Sequence, residues 1–185
     1  MKFDKGENME LKVTNVQNNS ANCIVCGLKN NLGLHAHFYE TEGEFVVAVC
    51  EGKNEHQSYP GRMHGGMICA LLDETVGRAV QIGNPSVWGV TGDLKIKYRK
   101  PVPLGEKIFC VGKIVRDTSR IFVAKGFVED EQGTLLAECE ATYFKAPIDV
   151  IAKTDNFEHT EWFADKNAPK IDSFDIKNLV FFDKN

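Results

Sequence analysis

Two adjacent carboxylates, Asp73 and Glu74, lie in the middle of an apolar segment that begins with a His-Gly-Gly sequence. Burying an unpaired carboxylate is costly, so each acid needs a partner, solvent or a chemical role. Glu74 precedes Arg78 by one helical turn, and an ordinary i,i+4 ion pair accounts for it. Helical spacing places Asp73 beside small residues instead. We therefore expect Asp73 to be the chemically active acid, as a general base or a nucleophile.

The His-Gly-Gly sequence itself, His64 to Gly66, is the second candidate for chemistry. A helix that starts here leaves backbone N–H groups without intrahelical acceptors, at the positive end of the helix dipole. Because glycine has no side chain, an oxygen atom can approach those N–H groups closely, which favours a site that stabilises an oxyanion. A simple turn at the start of the helix would explain the glycines but not the acid. For His64 the sequence leaves two roles open, orienting a substrate carbonyl or holding the loop.

The elements that must position these residues follow from the periodicity of apolar residues. One long helix is predicted over residues 65–82, ended by Gly83 and Pro85. A β-hairpin is predicted over 33–50, and a short helix over Glu10 to Val16. After the long helix the pattern predicts strands only, within residues 87–101, 106–117, 120–132 and 133–146.

This order of elements predicts an α+β fold. The long helix is apolar nearly all round, so it must be covered on most sides. We expect a curved antiparallel sheet of five to six strands to wrap it, and a second subunit to cover the remaining helix surface and one strand edge.

Length, composition and charge limit the classes of function. The 185 residues suit one domain, predicted over residues 23–146, with an N-terminal segment at 1–22 and a C-terminal extension at 147–185 that packs on the domain or on a partner subunit. The formal net charge of −4 argues against free nucleic acid as the partner. No stretch has the length of a transmembrane helix, and the start lacks an apolar signal core. We expect a cytoplasmic protein without nucleic acid or membrane partners.

Six cysteines are present, and four of them stand alone in apolar segments, as small core residues of a reducing compartment do. Cys23 and Cys26 form one Cys-x-x-Cys sequence, whereas a zinc site usually needs a second ligand pair. The nearby His35 and His37 alternate in a strand-like run and so share one face. A structured turn is favoured for Cys23 and Cys26 and no metal is predicted, with a metal or redox role left open.

Three stretches together resemble the hotdog-fold thioesterase superfamily, specifically its PaaI-like branch and the related acyl-CoA thioesterases. They are HQSYPGRMHGGMICALLDETVG at 56–77, TGDLKIKYRKPVPLGEKI at 91–108 and CIVCGLKNNLGLHAHF at 23–38. The resemblance covers residues 23–146. It implies a hotdog fold, a homodimer with one continuous sheet and active sites between subunits, with a tetramer left open. It also implies hydrolysis of an acyl- or aryl-acyl-CoA to the free acid and coenzyme A, with no cofactor other than the coenzyme A of the substrate.

The resemblance also implies roles for single residues. Gly65 would polarise the thioester carbonyl, and Asp73, nine residues after the histidine, would be the catalytic acid. Some relatives carry a Ser or Thr at the position of Thr91, delivered by the opposite subunit to position water; an ordinary β-branched strand residue is the alternative. Some relatives have an asparagine that holds the carbonyl where Ser58 stands here, with Gln57 beside it as a substitute.

A basic run follows the long helix, and Lys95 and Lys97 share one outward face of their strand. Either these charges are a solvated strand face, or they attract the phosphates of coenzyme A. The residues predicted to bind the substrate are Gln57, Arg62, Gly66, Lys95, Lys97, Arg99 and Arg120. Two other functions stay open: a non-catalytic acyl-CoA-binding module, and an enoyl-thioester hydratase or dehydratase, against which the His-Gly-Gly helix start argues.

Overall fold

The computed structural model describes residues 9–154 and 156–183. The first eight residues of the predicted N-terminal segment and the last two of the C-terminal extension lie outside them. The strands of the described part are β1 (Met9–Val16), β2 (Asn19–Ser20), β3 (His37–Thr41), β4 (Phe45–Glu51), β5 (Trp88–Tyr98), β6 (Lys107–Asp117), β7 (Ile121–Asp130), β8 (Leu135–Ala146), β9 (Trp162–Phe163) and β10 (Ser173–Ile176). The helices are α1 (Gly65–Arg78), α2 (Ile148–Ile151) and α3 (Phe157–Thr160), with short 3-10 turns at Asn54–His56, Ala79–Gln81 and Leu179–Asp183.

One antiparallel sheet of eight strands carries the fold in the described residues, in the order β10-β1-β3-β4-β6-β7-β8-β5. Six of these strands come from residues 23–146, which confirms the predicted five to six, and β1 and β10 add two more from the flanking segments. The predicted hairpin is β3 and β4, and the predicted long helix is α1 with the 3-10 turn that continues it. The α+β prediction is thereby confirmed.

The strand β1 corrects the short helix predicted over Glu10 to Val16. These residues pair with β3 on one side and with β10 on the other. Met9, Leu11 and Val13 alternate along the chain, and their side chains pack against the apolar cluster on the sheet face turned away from α1. Because two neighbouring strands satisfy its backbone, tertiary pairing outweighs the weak local preference for a helix.

Helix α1 lies across the concave face of the sheet and buries Ile68, Leu71 and Leu72 against it. Beneath its Val76 lie Gly112 and Gly126, which are cross-strand partners on β6 and β7. A methyl group at Gly126 would lie 2.4 Å from Val76 Cγ1, and one at Gly112 would lie 3.0 Å from Val76 Cα. Both positions therefore require glycine for the helix to approach this closely.

The C-terminal extension covers the opposite face of the sheet. It therefore packs on its own domain, which is one of the two arrangements that the sequence predicted. Phe174 and Ile176 of β10 belong to the apolar layer on this face, and the Phe174 and Tyr39 rings meet edge to face at 5.3 Å between centroids. A separate pairing of β9 with β2 joins the middle of the extension to the segment between β1 and β3.

Strand β5 forms one edge of the sheet, since among the described residues it pairs only with β8. It has eleven residues, and most of them are exposed. Exposed apolar side chains surround this edge, with Val90, Tyr98 and Phe144 between 43% and 56% exposed. A long open edge of this kind is a template for pairing with another strand.

Two further expectations concern the cysteines and the membrane. All six cysteines are free thiols; Cys50, Cys110 and Cys139 are buried, as predicted for isolated core cysteines, while Cys69 is half-buried. Within residues 9–154 and 156–183, every helix is too short or too polar to cross a bilayer.

Candidate functional site

The start of α1 is capped by the residue that precedes it. His64 is the N-cap residue, and its Nδ1 accepts a 2.9 Å hydrogen bond from the Gly66 N–H. Tyr98 donates its hydroxyl to the Gly65 carbonyl at 2.8 Å. In the described residues no acceptor faces the Gly65 N–H, so this donor is available to an external oxygen. The His64 side chain thus caps α1, and its role toward a substrate stays a prediction.

Asp73 lies two turns further along α1 and is half-buried. Its Oδ1 accepts a hydrogen bond from Thr91 Oγ1 at 2.9 Å and another from the Tyr143 hydroxyl at 2.8 Å. The ion pairs of the described residues do not include Asp73. Glu74 instead makes the predicted i,i+4 pair with Arg78, at 2.8 Å. The two adjacent acids therefore have separate partners, and Asp73 stays open to a reactant.

A bulge in β5 brings Thr91 to Asp73. Leu94 and Ile96 face the helix, so strict alternation would turn Thr91 to the outer face together with Lys95. The pairing with β8 slips between Thr91 and Asp93, which leaves Gly92 as an extra residue. Beyond that slip Thr91 stands directly opposite Tyr143, and both hydroxyl groups reach the same carboxylate oxygen.

Tyr143 is a hydrogen-bond donor to Asp73 because its phenol stays neutral. Burial raises the pKa of Tyr143 well above its usual range, and the nearby charge of Asp73 raises this pKa further. The same hydroxyl also donates to the Asp73 backbone carbonyl at 2.8 Å. The Tyr143 ring stacks on Phe122 with 4.7 Å between centroids, which fixes the position of the hydroxyl.

A pocket of about 170 Å³ opens beside Asp73. Two tryptophans form part of its wall, Trp88 from β5 and Trp162 from the C-terminal extension, with 5.0 Å between their ring centroids. The Phe157 ring backs both of them, at 5.2 Å and 5.9 Å. At a separate place the extension is anchored by Asp165, whose Oδ2 lies 2.5 Å from His37 Nδ1 and accepts a hydrogen bond from Asn19 Nδ2 at 3.0 Å.

The loop before α1 carries three of the predicted substrate-contacting residues, Gln57, Ser58 and Arg62, all exposed. Gln57 Oε1 accepts a hydrogen bond from the Gly61 N–H at 3.1 Å, and the Ser58 hydroxyl donates to the Arg62 carbonyl at 3.4 Å. Met63 pairs with Gln57 as an isolated bridge. The Ser58 hydroxyl is thus used within the loop, while the Gln57 NH₂ group has no acceptor in the described residues.

The basic residues lie apart from the helix start. Lys97 and Arg99 approach Glu138 Oε1 at 3.5 Å and 2.6 Å, on the sheet face turned away from α1. Lys95 is the cross-strand neighbour of Glu140. Arg120 lies in the turn between β6 and β7, where its carbonyl accepts from the Lys145 N–H. The acidic residues Glu138 and Glu140 thus offset much of the positive charge on β5.

The structure brings Asp73 and Thr91 together but separates both from the start of the helix. Asp73 is eight residues beyond Gly65, which at the rise of an α-helix is a separation of about 12 Å. One small reacting group cannot touch both positions in a single chain. The residues that sequence analysis missed are Tyr143, Tyr98 and Trp162, because each reaches the site from an element distant in the sequence.

Comparison with known proteins agrees with this fold. Residues 60–137 match the model of the thioesterase superfamily. Over 113 residues the chain is 31% identical to a Saccharolobus solfataricus protein named as an esterase, which spans 60% of this chain and 79% of the relative. It is 29% identical to acyl-coenzyme A thioesterase THEM4 of Mus musculus, over 60% of this chain and 47% of that protein. The chain spans about half the length of the mouse and rat THEM4 proteins.

Solved structures give the same fold. The structure of smu.793 from Streptococcus mutans, bound to acetyl-CoA, matches with a TM-score of 0.55 and 26% identity, over 60% of this chain and 89% of that one. The E. coli PaaI protein of the phenylacetic acid degradation operon matches with a TM-score of 0.56 over 61% and 80% of the two chains, at 14% identity, which supports the fold alone. The architecture is that of a hotdog-fold protein. The chain belongs to the thioesterase superfamily, as predicted.

The raised pKa of Tyr143 yields a prediction for alkaline solution. A tyrosine whose pKa is raised by folding contributes stability that is fully present below about pH 10 and is lost as the pH rises through the higher native pKa. The near-ultraviolet phenolate absorbance of the native protein should therefore change equally around pH 10 in the wild type and in Tyr143→Phe. A smaller native signal in Tyr143→Phe would contradict the buried, neutral phenol.

Proposed function

We propose that the protein is an acyl-CoA thioesterase that hydrolyses an acyl- or aryl-acyl-CoA to the free acid and coenzyme A, and that it works as a homodimer. The observation that carries the proposal is the carboxylate of Asp73, held by Thr91 and Tyr143 at an open pocket while a neighbouring glutamate takes the ion pair. The names of the relatives and the acetyl-CoA in the smu.793 structure support the substrate class.

Each group has a role in this reaction. The Gly65 N–H donates to the thioester carbonyl and stabilises the oxyanion that forms when water adds to the carbon. Asp73 accepts the proton of that water, which Thr91 orients; alternatively Asp73 attacks the carbon itself, and water then hydrolyses the resulting acyl-aspartyl anhydride to the free acid. The tetrahedral intermediate then collapses, the C–S bond breaks, and the coenzyme A thiolate leaves and takes up a proton.

The distance between the two halves of the site supports the dimer. Tyr98 at the end of β5 bonds to Gly65, and Thr91 near the start of β5 bonds to Asp73. If two copies of β5 pair antiparallel about a twofold axis, the end of one strand lies beside the start of the other. This pairing puts the partner's Gly65 opposite Asp73, so a single thioester contacts both.

The predicted coenzyme A contacts are best placed at the loop before α1, where Arg62 is exposed and the Gln57 NH₂ group faces no acceptor. Gly66 donates its N–H to His64, so we propose that its role is to leave room for the substrate. Lys97 and Arg99 are already paired with Glu138, whereas Lys95 and Arg120 are exposed and available for phosphate.

Removing one N–H tests the oxyanion role. Gly65 is the first helical residue, where proline is tolerated, and His64 before it has φ −64° and ψ 136°, which suits a residue that precedes proline. A methyl group at Gly65 meets only ordinary contacts, 3.6 Å from the Tyr98 ring. Gly65→Pro should lower kcat for acyl-CoA hydrolysis about a hundredfold to a thousandfold, because the donor is lost. Gly65→Ala keeps the N–H and should retain activity.

Asp73→Asn should abolish turnover in the same assay of coenzyme A release while leaving the fold intact. Full activity of Asp73→Asn, or equal losses in the alanine and proline variants, would reject these roles. Tight binding of acyl-CoA without turnover by the wild type would favour a non-catalytic module instead, and hydration of an enoyl-CoA would favour a hydratase.

Mixing the two inactive variants tests the shared site. In a mixed dimer of Asp73→Asn and Gly65→Pro chains, one site receives an intact glycine and an intact aspartate. Co-refolding equal amounts should therefore restore about a quarter of wild-type activity, since half of the randomly formed dimers hold one good site of two. No recovery despite verified exchange of subunits would show that both groups act within one chain.

The aromatic wall predicts a limit on the acyl group. A pocket of about 170 Å³ is comparable to a cavity that holds one benzene ring, so the wild type should prefer short or single-ring acyl groups. Trp162→Ala enlarges the pocket and should raise kcat/KM for longer chains relative to short ones, whereas Trp162→Phe should shift this ratio less. Val150→Ala, an exposed change in the same extension, is the control. An unchanged ratio in Trp162→Ala would exclude the tryptophan from the acyl site.

A further inference from the structure

We propose a zinc site, outside the proposed thioesterase chemistry, formed by Cys23, Cys26 and Glu74. Cys23 Sγ lies 3.5 Å from Glu74 Oε2, and the two sulfurs and a carboxylate oxygen all lie within 4.8 Å of one another. For the two cysteines a structured turn was favoured and a metal or redox role was left open, because a zinc site usually needs a second ligand pair. The fold supplies a third ligand from α1, 48 residues after Cys26.

The turn that carries the cysteines is shaped to present sulfur as a ligand. The Val25 N–H donates to Cys23 Sγ at 3.3 Å, and the Ser20 N–H donates to Cys26 Sγ at 3.4 Å. The turn closes through a 2.9 Å bond from the Gly27 N–H to the Cys23 carbonyl, and a methyl group at Gly27 would lie 2.3 Å from that oxygen. Peptide N–H groups directed at sulfur favour the thiolate, which is the form that binds metal.

Glu74 has one oxygen available for the cation. Its Oε1 accepts from Arg78 Nε at 3.0 Å and from a terminal guanidinium nitrogen at 2.8 Å, whereas Oε2 is turned toward the cysteines. A ligating carboxylate that is oriented by a hydrogen-bonded outer partner is the usual arrangement in metal sites. Two thiolates and a carboxylate would be balanced by a divalent cation together with the Arg78 guanidinium.

The donor set favours zinc among the divalent metals. Two thiolates exclude magnesium and calcium, which take oxygen ligands, and suit a tetrahedral borderline-soft ion. Zinc–sulfur bonds of about 2.3 Å and zinc–oxygen bonds of about 2.1 Å require ligand atoms roughly 3.6 Å apart, so the cluster needs to contract by about 1 Å. Cys23 and Glu74 are half-buried, so the ion has a path of entry and a water can fill the fourth position.

Such an ion would tie the turn at 23–26 to α1 one residue away from Asp73. It would act structurally, by holding together two segments that are distant in the sequence. The matched family region begins at residue 60, so only Glu74 of the three ligands lies inside it. The ion would thus join a turn that lies before the matched region to the helix that lies inside it.

Metal analysis of the untagged full chain tests the site. Protein expressed with added zinc should carry one zinc ion per chain by inductively coupled plasma mass spectrometry, and Cys23→Ser and Glu74→Gln should each lower zinc affinity at least tenfold in competition with a chromogenic chelator. Cys50→Ser removes a buried cysteine that lies outside the cluster and should keep the ion. Zinc added to chelator-stripped protein should raise the Tm of the wild type but not of Cys23→Ser.

Several results would overturn the proposal: zinc well below one ion per chain with no rise in Tm, the same zinc content in Cys23→Ser, or a Cys23–Cys26 disulfide that resists alkylation in freshly purified protein. Because zinc content and Tm are measured without substrate, this outcome is independent of whether the protein hydrolyses acyl-CoA.

Discussion

The contact between Val76 of α1 and the glycine pair Gly112 and Gly126 determines where the helix lies, and the candidate site depends on it. Any side chain beneath Val76 would lift the helix from the sheet. Asp73 lies three residues earlier on the same helix, and its two hydrogen bonds to strand residues hold only at this separation. Because a close-packed interior transmits a displacement rather than absorbing it, lifting α1 would move Asp73 as well. The site is therefore positioned by packing that lies outside it.

Arg78 joins this helix to the segments before and after the domain. Its guanidinium donates to Glu74 and to the Asn18 carbonyl, and it lies 3.9 Å and 4.8 Å from the ring centroids of Phe38 and Trp162. A buried cation needs such partners, since an unpaired one costs several kcal/mol. The Arg78 guanidinium thus holds the N-terminal segment, α1 and the C-terminal extension together. Through Trp162 it also shapes the pocket beside Asp73.

Local patterns predicted those elements whose stability is local or whose apolar surface is regular. The start of α1, the hairpin of β3 and β4 and the pair of Glu74 with Arg78 depend on neighbours within a few residues or on clear periodicity, and all are confirmed. The helix predicted over Glu10 to Val16 was wrong because the pairing partners of this segment, β3 and β10, lie far away in the sequence. Pairing partners that are distant in the sequence decide the structure of such a segment, and propensity alone does not reveal them.

The amino-acid sequence by itself determined the fold class, the helix with its His-Gly-Gly start, and the choice of Asp73 over Glu74 as the unpaired acid. Alternation along β5 would have placed Thr91 on the outer face with Lys95, and only the slip at Gly92 turns it toward Asp73, opposite Tyr143. Tertiary structure decided this, because the register of a strand is set by its pairing with β8 rather than by its own residues. The same holds for every group that reaches Asp73 from another element, since each contact spans residues that only folding brings together.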